Sequence, residues 1–144
     1  MLEHSALFTP DPEAGGFVVS FPDLPEAITE GASEEEAMLY AADALATSLS
    51  VYMDRGMDIP TPRKVRGKNY RKVRIPALSE AKISLYVTMR QAGIRAPDLA
   101  RRLNCQKSQV DCLLDLGHPS RFDQIEQALS VLGKRLVLKL EDAA

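Results

Sequence analysis

The strongest constraint on the fold lies in residues 93–114, where apolar side chains recur at helical spacing on both sides of a short polar break. Four of them are predicted to pack across that break: Leu99, Leu103, Val110 and Leu113. Ala100 lies where two helices would cross, and Asn104 tolerates the left-handed backbone that a tight turn needs. The pattern predicts short helices over 95–103 and 106–116, arranged as a helix-turn-helix.

The polar side chains of this region suit contact with DNA. Four of them open the second helix, whose N-terminal end enters the major groove in this motif: Gln106, Lys107, Ser108 and Gln109. Lysine can donate to guanine and glutamine can pair with adenine, so these four are predicted to read base edges. Three arginines are predicted to contact phosphates, which position a protein without reading sequence: Arg95, Arg101 and Arg102. The alternative is a helical packing unit with a solvated polar face.

Further elements are predicted on both sides of this helix pair. One helix covers 79–92, and another begins at Ser120, with Asp123 completing its cap, and ends at Gly133. After it, residues 135–140 alternate leucine with other side chains, which predicts a short terminal strand. An apolar edge strand invites pairing with a second copy, and two-fold dimers suit palindromic operators, so a homodimer or a higher homo-oligomer is expected.

The first 75 residues carry a different pattern, which predicts a small α+β layer. Short apolar or alternating runs predict strands over 6–8, 16–21, 27–29 and 72–75. Ser33 and Glu36 form the sequence signature of a capping box, so a helix is predicted from Ser33 to its glycine end at Gly56. The predicted organisation is a β-β-β-α-β domain over 1–75 and an all-α domain with a short C-terminal strand over 76–144.

Charge divides the chain in the same way. Residues 1–60 hold 12 acidic and one basic side chain, and residues 61–75 hold seven basic and no acidic ones. Residues 76–144 hold ten basic and eight acidic side chains, so a net charge of -2 conceals a strong polarity. Such asymmetry indicates different partners for the two ends, a basic one for the acidic part and a phosphate backbone for the basic part.

Several classes of protein are disfavoured by composition. No apolar run is long enough to span a membrane, and the first ten residues lack the pattern of a signal peptide, so the cytoplasm is the expected location. Cys105 and Cys112 lack a zinc-ligand spacing and are expected to be free thiols. His4 and His118 are isolated in sequence, and neither is predicted to bind a metal or to catalyse a reaction.

Both halves of the chain resemble one known family, the HicB antitoxins of bacterial toxin–antitoxin systems. The N-terminal signature of that family resembles residues 16–31, which read GFVVSFPDLPEAITEG, together with residues 33–37, which read SEEEA. Its helix-turn-helix branch resembles residues 99–103, which read LARRL, and residues 128–138. The resemblance covers nearly the whole chain, and finding both halves in order makes it more specific than either alone.

The resemblance implies a truncated ribonuclease H-like first domain without catalytic residues. That domain would bind HicA, a small ribonuclease toxin that cleaves mRNA, while the second domain would bind operator DNA and repress the operon. No catalysis, metal or cofactor is implied. An inhibitor of an RNA-binding enzyme is expected to present negative charge in place of phosphate. The candidate contacts lie in the loop and strand edge of residues 20–30: Phe21, Asp23, Leu24 and Glu26.

Two other functions stay open at the level of sequence. The chain could be a stand-alone transcriptional regulator whose first domain binds a small ligand. It could also retain ribonuclease H activity, although its N-terminal acids are scattered and form no obvious metal-binding set. The basic residues of 63–74 have two interpretations of equal weight, extra phosphate contacts or a solvated loop.

Overall fold

A computed structural model describes residues 2–143 of the chain, which divide into two compact units. Unit 1 extends to Glu80 and unit 2 begins at Ala81. The division therefore falls inside a continuous helix and not directly after Ile75, where the sequence pattern placed it. The backbone N–H of Leu2 donates to Oε1 of Glu80 at 2.7 Å, which ties the first turn of that helix to unit 1.

Unit 1 is an antiparallel sheet with one long helix on one face. Its four strands are β1 (Glu3–Pro10), β2 (Phe17–Phe21), β3 (Leu24–Gly31) and β4 (Tyr70–Arg74). They lie in the order β3-β2-β1-β4, and every neighbouring pair is antiparallel. The predicted β-β-β-α-β order and the α+β class are confirmed.

The hairpin between β1 and β2 depends on two glycines. Gly15 and Gly16 have φ angles of 74° and 80°, a conformation that strains other residues. A Cβ at Gly16 would lie 2.1 Å from the carbonyl oxygen of Gly31, at the end of β3. Because that neighbour is main chain and cannot swing aside, no side chain fits at Gly16. Gly16 thus allows the start of β2 and the end of β3 to lie this close together.

Strand β3 begins earlier than predicted. The sequence pattern predicts a strand over 27–29 only, which is too short, because β3 starts at Leu24 and includes Pro25. β3 lies at the edge of the sheet and pairs only with β2 among the described residues. An edge strand tolerates a proline, because the N–H that proline lacks can face away from the sheet.

Helix α1 (Glu34–Asp54) covers one face of this sheet. Its N-cap is Ser33, whose Oγ accepts a hydrogen bond from the backbone N–H of Glu36 at 3.1 Å, so the predicted cap is confirmed. Gly56, just past its end, has a φ of 65°, the left-handed geometry predicted for a glycine that ends a helix. The buried face of α1 consists of Ala37, Ala41, Leu45, Ser48, Leu49 and Met53.

The core of unit 1 lies between α1 and the sheet. The sheet contributes side chains that are almost fully buried: Ala6, Phe8, Val19, Phe21, Leu24 and Val73. The strand register places Ser20 opposite both Leu7 and Ile28, so these three residues lie on the other face. Within unit 1 no described helix covers that face, and Ile28 is 64% exposed there.

Unit 2 is built from helices. They are α2 (Ala77–Ala92), α3 (Ala96–Leu103), α4 (Lys107–Leu114) and α5 (Phe122–Val131), of which α2 starts in unit 1. The turn between α3 and α4 contains Asn104, which has a φ of 53° and is the only non-glycine residue with a positive φ in the described chain. The predicted pair of short helices and the left-handed asparagine between them are confirmed. Their buried contacts include Leu99, Ala100, Val110 and Leu113.

Two predictions for unit 2 are wrong. The N-cap of α5 is Arg121 and not Ser120, because the Ser120 hydroxyl is used in tertiary hydrogen bonds instead. Residues 135–140 form no strand, and none of the described residues after Gly133 belongs to a helix or a sheet. Alternation alone does not make a strand, which needs a partner for its backbone groups.

Candidate functional site

The α3–α4 pair presents all seven of the predicted DNA-binding residues on its surface. Each of them is exposed: Arg95, Arg101, Arg102, Gln106, Lys107, Ser108 and Gln109. Leu99 and Val110 turn inward, with no exposed surface, and hold the two helices together. The two short helices therefore separate packing side chains from polar ones, as a contact surface requires.

The first turn of α4 has the electrostatics of an anion-binding end. It contains no acidic residue, and its N-cap, Gln106, makes no capping hydrogen bond with its side chain. The positive end of the helix dipole is therefore accessible to a negative group. Helix α3 also lacks a side-chain cap bond at Arg95, as its sequence predicts, although the Arg95 backbone N–H donates to Oδ2 of Asp98 at 3.1 Å.

The basic side chains of this surface are held only weakly. Lys107 pairs with Asp111 one turn along α4, at 3.0 Å, and both side chains are more than half exposed. Arg101 pairs with Asp98 on α3, and Arg102 makes no ion pair within the described part of the chain. Exposed pairs of this kind contribute about 0.3–0.5 kcal/mol, so a phosphate or a base can replace them at little cost.

The predicted toxin-contact residues are placed unevenly. Phe21 is 2% exposed and Leu24 has no exposed surface, so both belong to the core and neither offers its side chain to a partner. Glu26 is exposed on β3 and hydrogen-bonds the hydroxyl of Tyr52, which raises the pKa of that tyrosine. Of the predicted contacts, Glu26 is the one that is both charged and accessible.

Asp23 is held inside unit 1 by an arginine. Its carboxylate accepts hydrogen bonds from the Arg63 backbone N–H at 3.0 Å and from Arg63 Nε at 2.5 Å. Desolvation raises the pKa of Asp23, but these hydrogen bonds and the charges of Arg63 and His4 outweigh it, so the pKa lies below its ordinary value of 3.8. Asp23 therefore anchors the segment around Arg63 to the turn between β2 and β3.

The basic segment, residues 61–75, is folded against unit 1. Four of its seven basic residues form ion pairs with acids of this unit: Arg63 with Asp23, Arg71 with Glu34, and Lys72 and Arg74 with Glu3. Lys64, Arg66 and Lys68 form no ion pair among the described residues. The segment thus neutralises part of the acidic surface of unit 1. None of these ion pairs involves an acidic residue of β3.

The outer edge of β3 is an accessible acidic surface of unit 1. Glu26, Ile28 and Glu30 are exposed along it, and the strand has no second neighbour within residues 2–143. Next to its end lies a cleft of about 370 Å³, whose lining includes Asp11, Glu30, Glu36 and the ring of Tyr40. This edge, defined by residues 26–30, combines an unpaired backbone, negative charge and exposed apolar area.

Sequence reasoning missed Lys82, which is fully buried in α2. Its Nζ atom is surrounded by oxygen atoms of residues 112–120, just beyond the helix predicted to read bases. A signal was available, because Lys82 precedes the buried residues Leu85, Tyr86 and Met89 by three, four and seven positions. That spacing places all four on one helix face.

The two cysteines, Cys105 and Cys112, are free thiols and are partly exposed. Within residues 2–143, no group of three or more His, Cys, Asp or Glu side chains is arranged to hold a metal ion. No helix in the described part of the chain has the length and apolar character of a membrane span.

The fold defines an α+β protein in which an antiparallel sheet unit precedes an all-helical unit. Residues 3–84 match the family described as the HicB-like antitoxin of bacterial toxin–antitoxin systems. The chain belongs to this HicB-like antitoxin family, as its resemblance predicted.

Named relatives match over most of their length. Antitoxin HicB of Pseudomonas fluorescens is 39% identical over 91% of this chain and 90% of its own. Antitoxin HicB of Escherichia coli K12 is 34% identical over 95% of this chain and 98% of its own. The crystal structure of the N-terminal domain of Burkholderia pseudomallei antitoxin HicB aligns with a TM-score of 0.46 at 18% identity, over 52% of this chain and 99% of that one.

Proposed function

We propose that this chain neutralises a HicA-type ribonuclease toxin through unit 1 and represses its own operon through unit 2. The proposal takes α3 and α4 as a helix-turn-helix that binds operator DNA in the bacterial cytoplasm. The observation that carries it is the family match over residues 3–84, and the exposed polar first turn of α4 supports the DNA-binding half. No catalytic step is assigned to the chain.

For DNA binding, α4 enters the major groove with its N-terminal end first. Gln106, Lys107, Ser108 and Gln109 then face base edges, and Lys107 gives up its exposed pair with Asp111 to donate to guanine. Arg95, Arg101 and Arg102 lie on or beside α3 and contact phosphates on either side. The exposure of all seven side chains supports these roles.

For toxin binding, the outer edge of β3 is the favoured surface. Glu26 and Glu30 supply negative charge to an enzyme that normally binds RNA, and Ile28 supplies apolar contact area. The unpaired backbone of an edge strand can accept a strand from a partner. Phe21 and Leu24 support this surface from the core, and Asp23 fixes the turn that leads into it.

The test of the toxin-binding surface compares two exposed apolar residues of unit 1. Ile28 on β3 is 64% exposed and Leu39 on α1 is 63% exposed, so a lysine at either position costs the fold little. The full chain with Ile28→Lys should lose rescue of growth when the neighbouring toxin is co-expressed, because it adds positive charge opposite a basic partner. Leu39→Lys should rescue as the wild type does.

Binding of the purified full chains to a catalytically inactive toxin gives the quantitative readout. We expect Ile28→Lys to weaken binding about tenfold or more, the range of an interface hot spot, and Leu39→Lys to change it less than about twofold. Loss of rescue by Leu39→Lys alone would move the surface to α1. A neighbouring protein that is not toxic, or that the wild-type chain does not bind, would contradict the antitoxin function itself.

A second candidate function is a stand-alone regulator whose unit 1 binds a small ligand. The cleft lined by Asp11, Glu30, Glu36 and Tyr40 favours this alternative, and its acids would select a cationic ligand. A small cation that shifts the affinity for promoter DNA, with no protein partner retained by the full chain, would support it over the antitoxin.

A further inference from the structure

An isolated ammonium group lies behind helix α4. Lys82 of α2 has no exposed surface, and its Nζ donates to the carbonyl oxygens of Cys112, Asp115 and His118 at 2.9, 2.6 and 2.7 Å. The Ser120 hydroxyl is a fourth acceptor, at 2.9 Å. An ammonium carries three N–H donors, so four oxygens surround a group that can satisfy three of them at once.

These acceptors mark the end of α4 and the segment that follows it. Cys112 lies in the last turn of α4, and Asp115 is its C-cap. The same three carbonyl oxygens also accept the backbone N–H groups of residues 115, 118 and 120. Each oxygen thus takes a backbone hydrogen bond from its own segment and another hydrogen bond from Lys82, so the chain turns around the ammonium.

The charge of Lys82 suits this position for an electrostatic reason. The last carbonyls of a helix have no partner within it and carry the negative end of its dipole. Helix α4 has no basic residue in its own last turn, and the cation that binds its last carbonyl oxygens comes from α2. Desolvation lowers the pKa of Lys82, while the nearby Asp115 and Cys112 oppose that shift.

Burial of a charge without a salt bridge is costly unless its donors are satisfied. Here neutral carbonyl dipoles and one hydroxyl satisfy them, and Ser120 in turn lies 3.0 Å from Nδ1 of His118 and donates to the carbonyl oxygen of Cys112 at 3.3 Å. An arrangement of this kind holds one geometry tightly, because its members share hydrogen bonds with one another and with the backbone around them.

We propose that Lys82 is a positioning residue for DNA recognition. It fixes the C-terminal end of α4 and the segment from Asp115 to Ser120, and so sets the orientation in which residues 106–109 meet the bases. The turn at Asn104 holds the other end of the same helix. This inference rests on the proposed DNA-binding function of unit 2, and Lys82 itself makes no contact with DNA in it.

The experiment measures the affinity of the full chain for promoter DNA of its own gene and for a scrambled duplex. Lys82→Met removes the cation and retains the length of the side chain, and Ser120→Ala removes one acceptor from the same cluster. Measurements are made at a temperature at which circular dichroism shows each variant to be fully folded. A control, Lys134→Ala, removes an exposed lysine of unit 2 that lies outside the cluster.

For Lys82→Met we expect the ratio of specific to non-specific affinity to fall about tenfold or more, the effect of losing well-aligned base contacts. Binding to scrambled DNA should change less than twofold, because the exposed arginines of α3 still meet phosphates. Ser120→Ala should shift the ratio in the same direction by a smaller factor. A purely structural role would lower the active fraction equally for both duplexes and leave the ratio unchanged.

Chemical rescue provides a readout that stability alone would not move. In Lys82→Ala, propylammonium can occupy the vacated space and donate to the same oxygens, so it should restore the ratio. Tetramethylammonium at equal ionic strength has no N–H group and should not restore it. An unchanged ratio in folded Lys82→Met overturns the proposal, and if that variant does not fold, an unchanged ratio in Ser120→Ala overturns it.

Failure of the underlying function has a different signature. A wild-type chain that shows no preference for promoter DNA would overturn DNA recognition by unit 2 and the positioning role with it. The anchor itself is then measured by amide hydrogen exchange, in which the N–H groups of residues 115, 118 and 120 lose protection in Lys82→Met and keep it in Lys134→Ala.

Discussion

The imidazole of His4 is the least satisfied polar side chain of unit 1. It is fully buried in β1, and neither ring nitrogen has a hydrogen-bond partner among the described residues. The nearest charge is the carboxylate of Asp23, 3.8 Å from Nδ1. Desolvation lowers the pKa of His4 below its ordinary 6.5, and the attraction of Asp23 only partly offsets it.

Because of the buried imidazole of His4, we expect the folded chain to lose stability in mild acid. As the pH falls below 6.5, His4 becomes protonated in the unfolded chain but stays neutral in the folded one. The free energy of unfolding therefore decreases with falling pH until the pH reaches the lowered pKa of His4 in the folded state. Urea unfolding of the full chain between about pH 7 and about pH 5 should show this decline. His4→Leu should remove that part of it.

Two controls separate His4 from other groups. His118→Gln, which removes the other histidine, should leave the decline in place. Asp23 acts in a lower window, because its lowered pKa contributes stability that is present above 3.8 and lost as the pH falls through its folded-state value. A decline above pH 5 that is unchanged in His4→Leu would contradict the assignment.

Two residues of the α3–α4 surface should behave differently in DNA binding. Lys107→Ala should cost about 1–3 kcal/mol on promoter DNA and relax specificity, if Lys107 reads a base. Arg102→Ala should weaken binding equally on all sequences and reduce the salt slope by about 1, as a phosphate contact does. Fluorescence anisotropy over a salt series distinguishes them, and an equal loss on all sequences for Lys107→Ala would make it a phosphate contact.

Exposed residues were easier to place from sequence than buried polar ones. The seven candidates of α3 and α4 are exposed because apolar spacing determines which face turns inward. Phe21 and Leu24 are predicted to lie on the partner surface, yet both are buried where β2 ends and β3 begins. Lys82 was missed because a lysine is normally solvated, and only its tertiary partners show that this one is buried.

Among the secondary-structure elements, α1 depends most directly on a local signal. The Ser33 hydroxyl satisfies one of the N–H groups that the first turn leaves unpaired. Ser33→Ala should destabilise unit 1 by about 1 kcal/mol, measured by urea unfolding. Thr47→Ala, at an exposed position within the same helix, should change stability by less than about 0.5 kcal/mol. Equal effects of the two would show that the cap contributes nothing.

Elements with local signals were predicted well, and elements that need partners were not. The capping serine of α1, Gly56 and Asn104 act within a few residues of themselves, and each was found from the sequence. β3 starts at Leu24 because a strand at the edge of a sheet tolerates Pro25. The sequence alone does not show which strand lies at the edge. Ser120 left its predicted capping role because Lys82, 38 positions away, binds its hydroxyl.

At the scale of the whole molecule, the terminal segment offers an apolar surface for the homo-oligomer that the sequence leads us to expect. Val137, Leu138 and Leu140 are at least 72% exposed in a segment without regular structure. Contact between residues 135–140 and the same segment of a second copy would bury these side chains. A chain that ends at Gly133 should therefore elute as a monomer in sizing chromatography. In anisotropy measurements it should bind palindromic DNA more weakly than the full chain does.

Val137→Asp and Leu138→Asp in the full chain provide a control for truncation, since they keep the length and should also yield monomers. A chain ending at Gly133 that stays dimeric would refute this route of assembly. A dimer that persists in both the truncated chain and the aspartate variants would place the interface elsewhere in the molecule.

The ammonium of Lys82 binds the C-terminal end of α4 through main-chain atoms. Three of its four acceptors are main-chain oxygens, which every amino acid provides. Substitutions at residues 106–109 leave all three acceptors in place. The side chains proposed to contact bases can therefore change during evolution while the backbone that positions them stays the same. Under the proposed function, a duplicated copy of the gene could acquire a new operator by altering a few exposed side chains, without a change in the backbone that supports them.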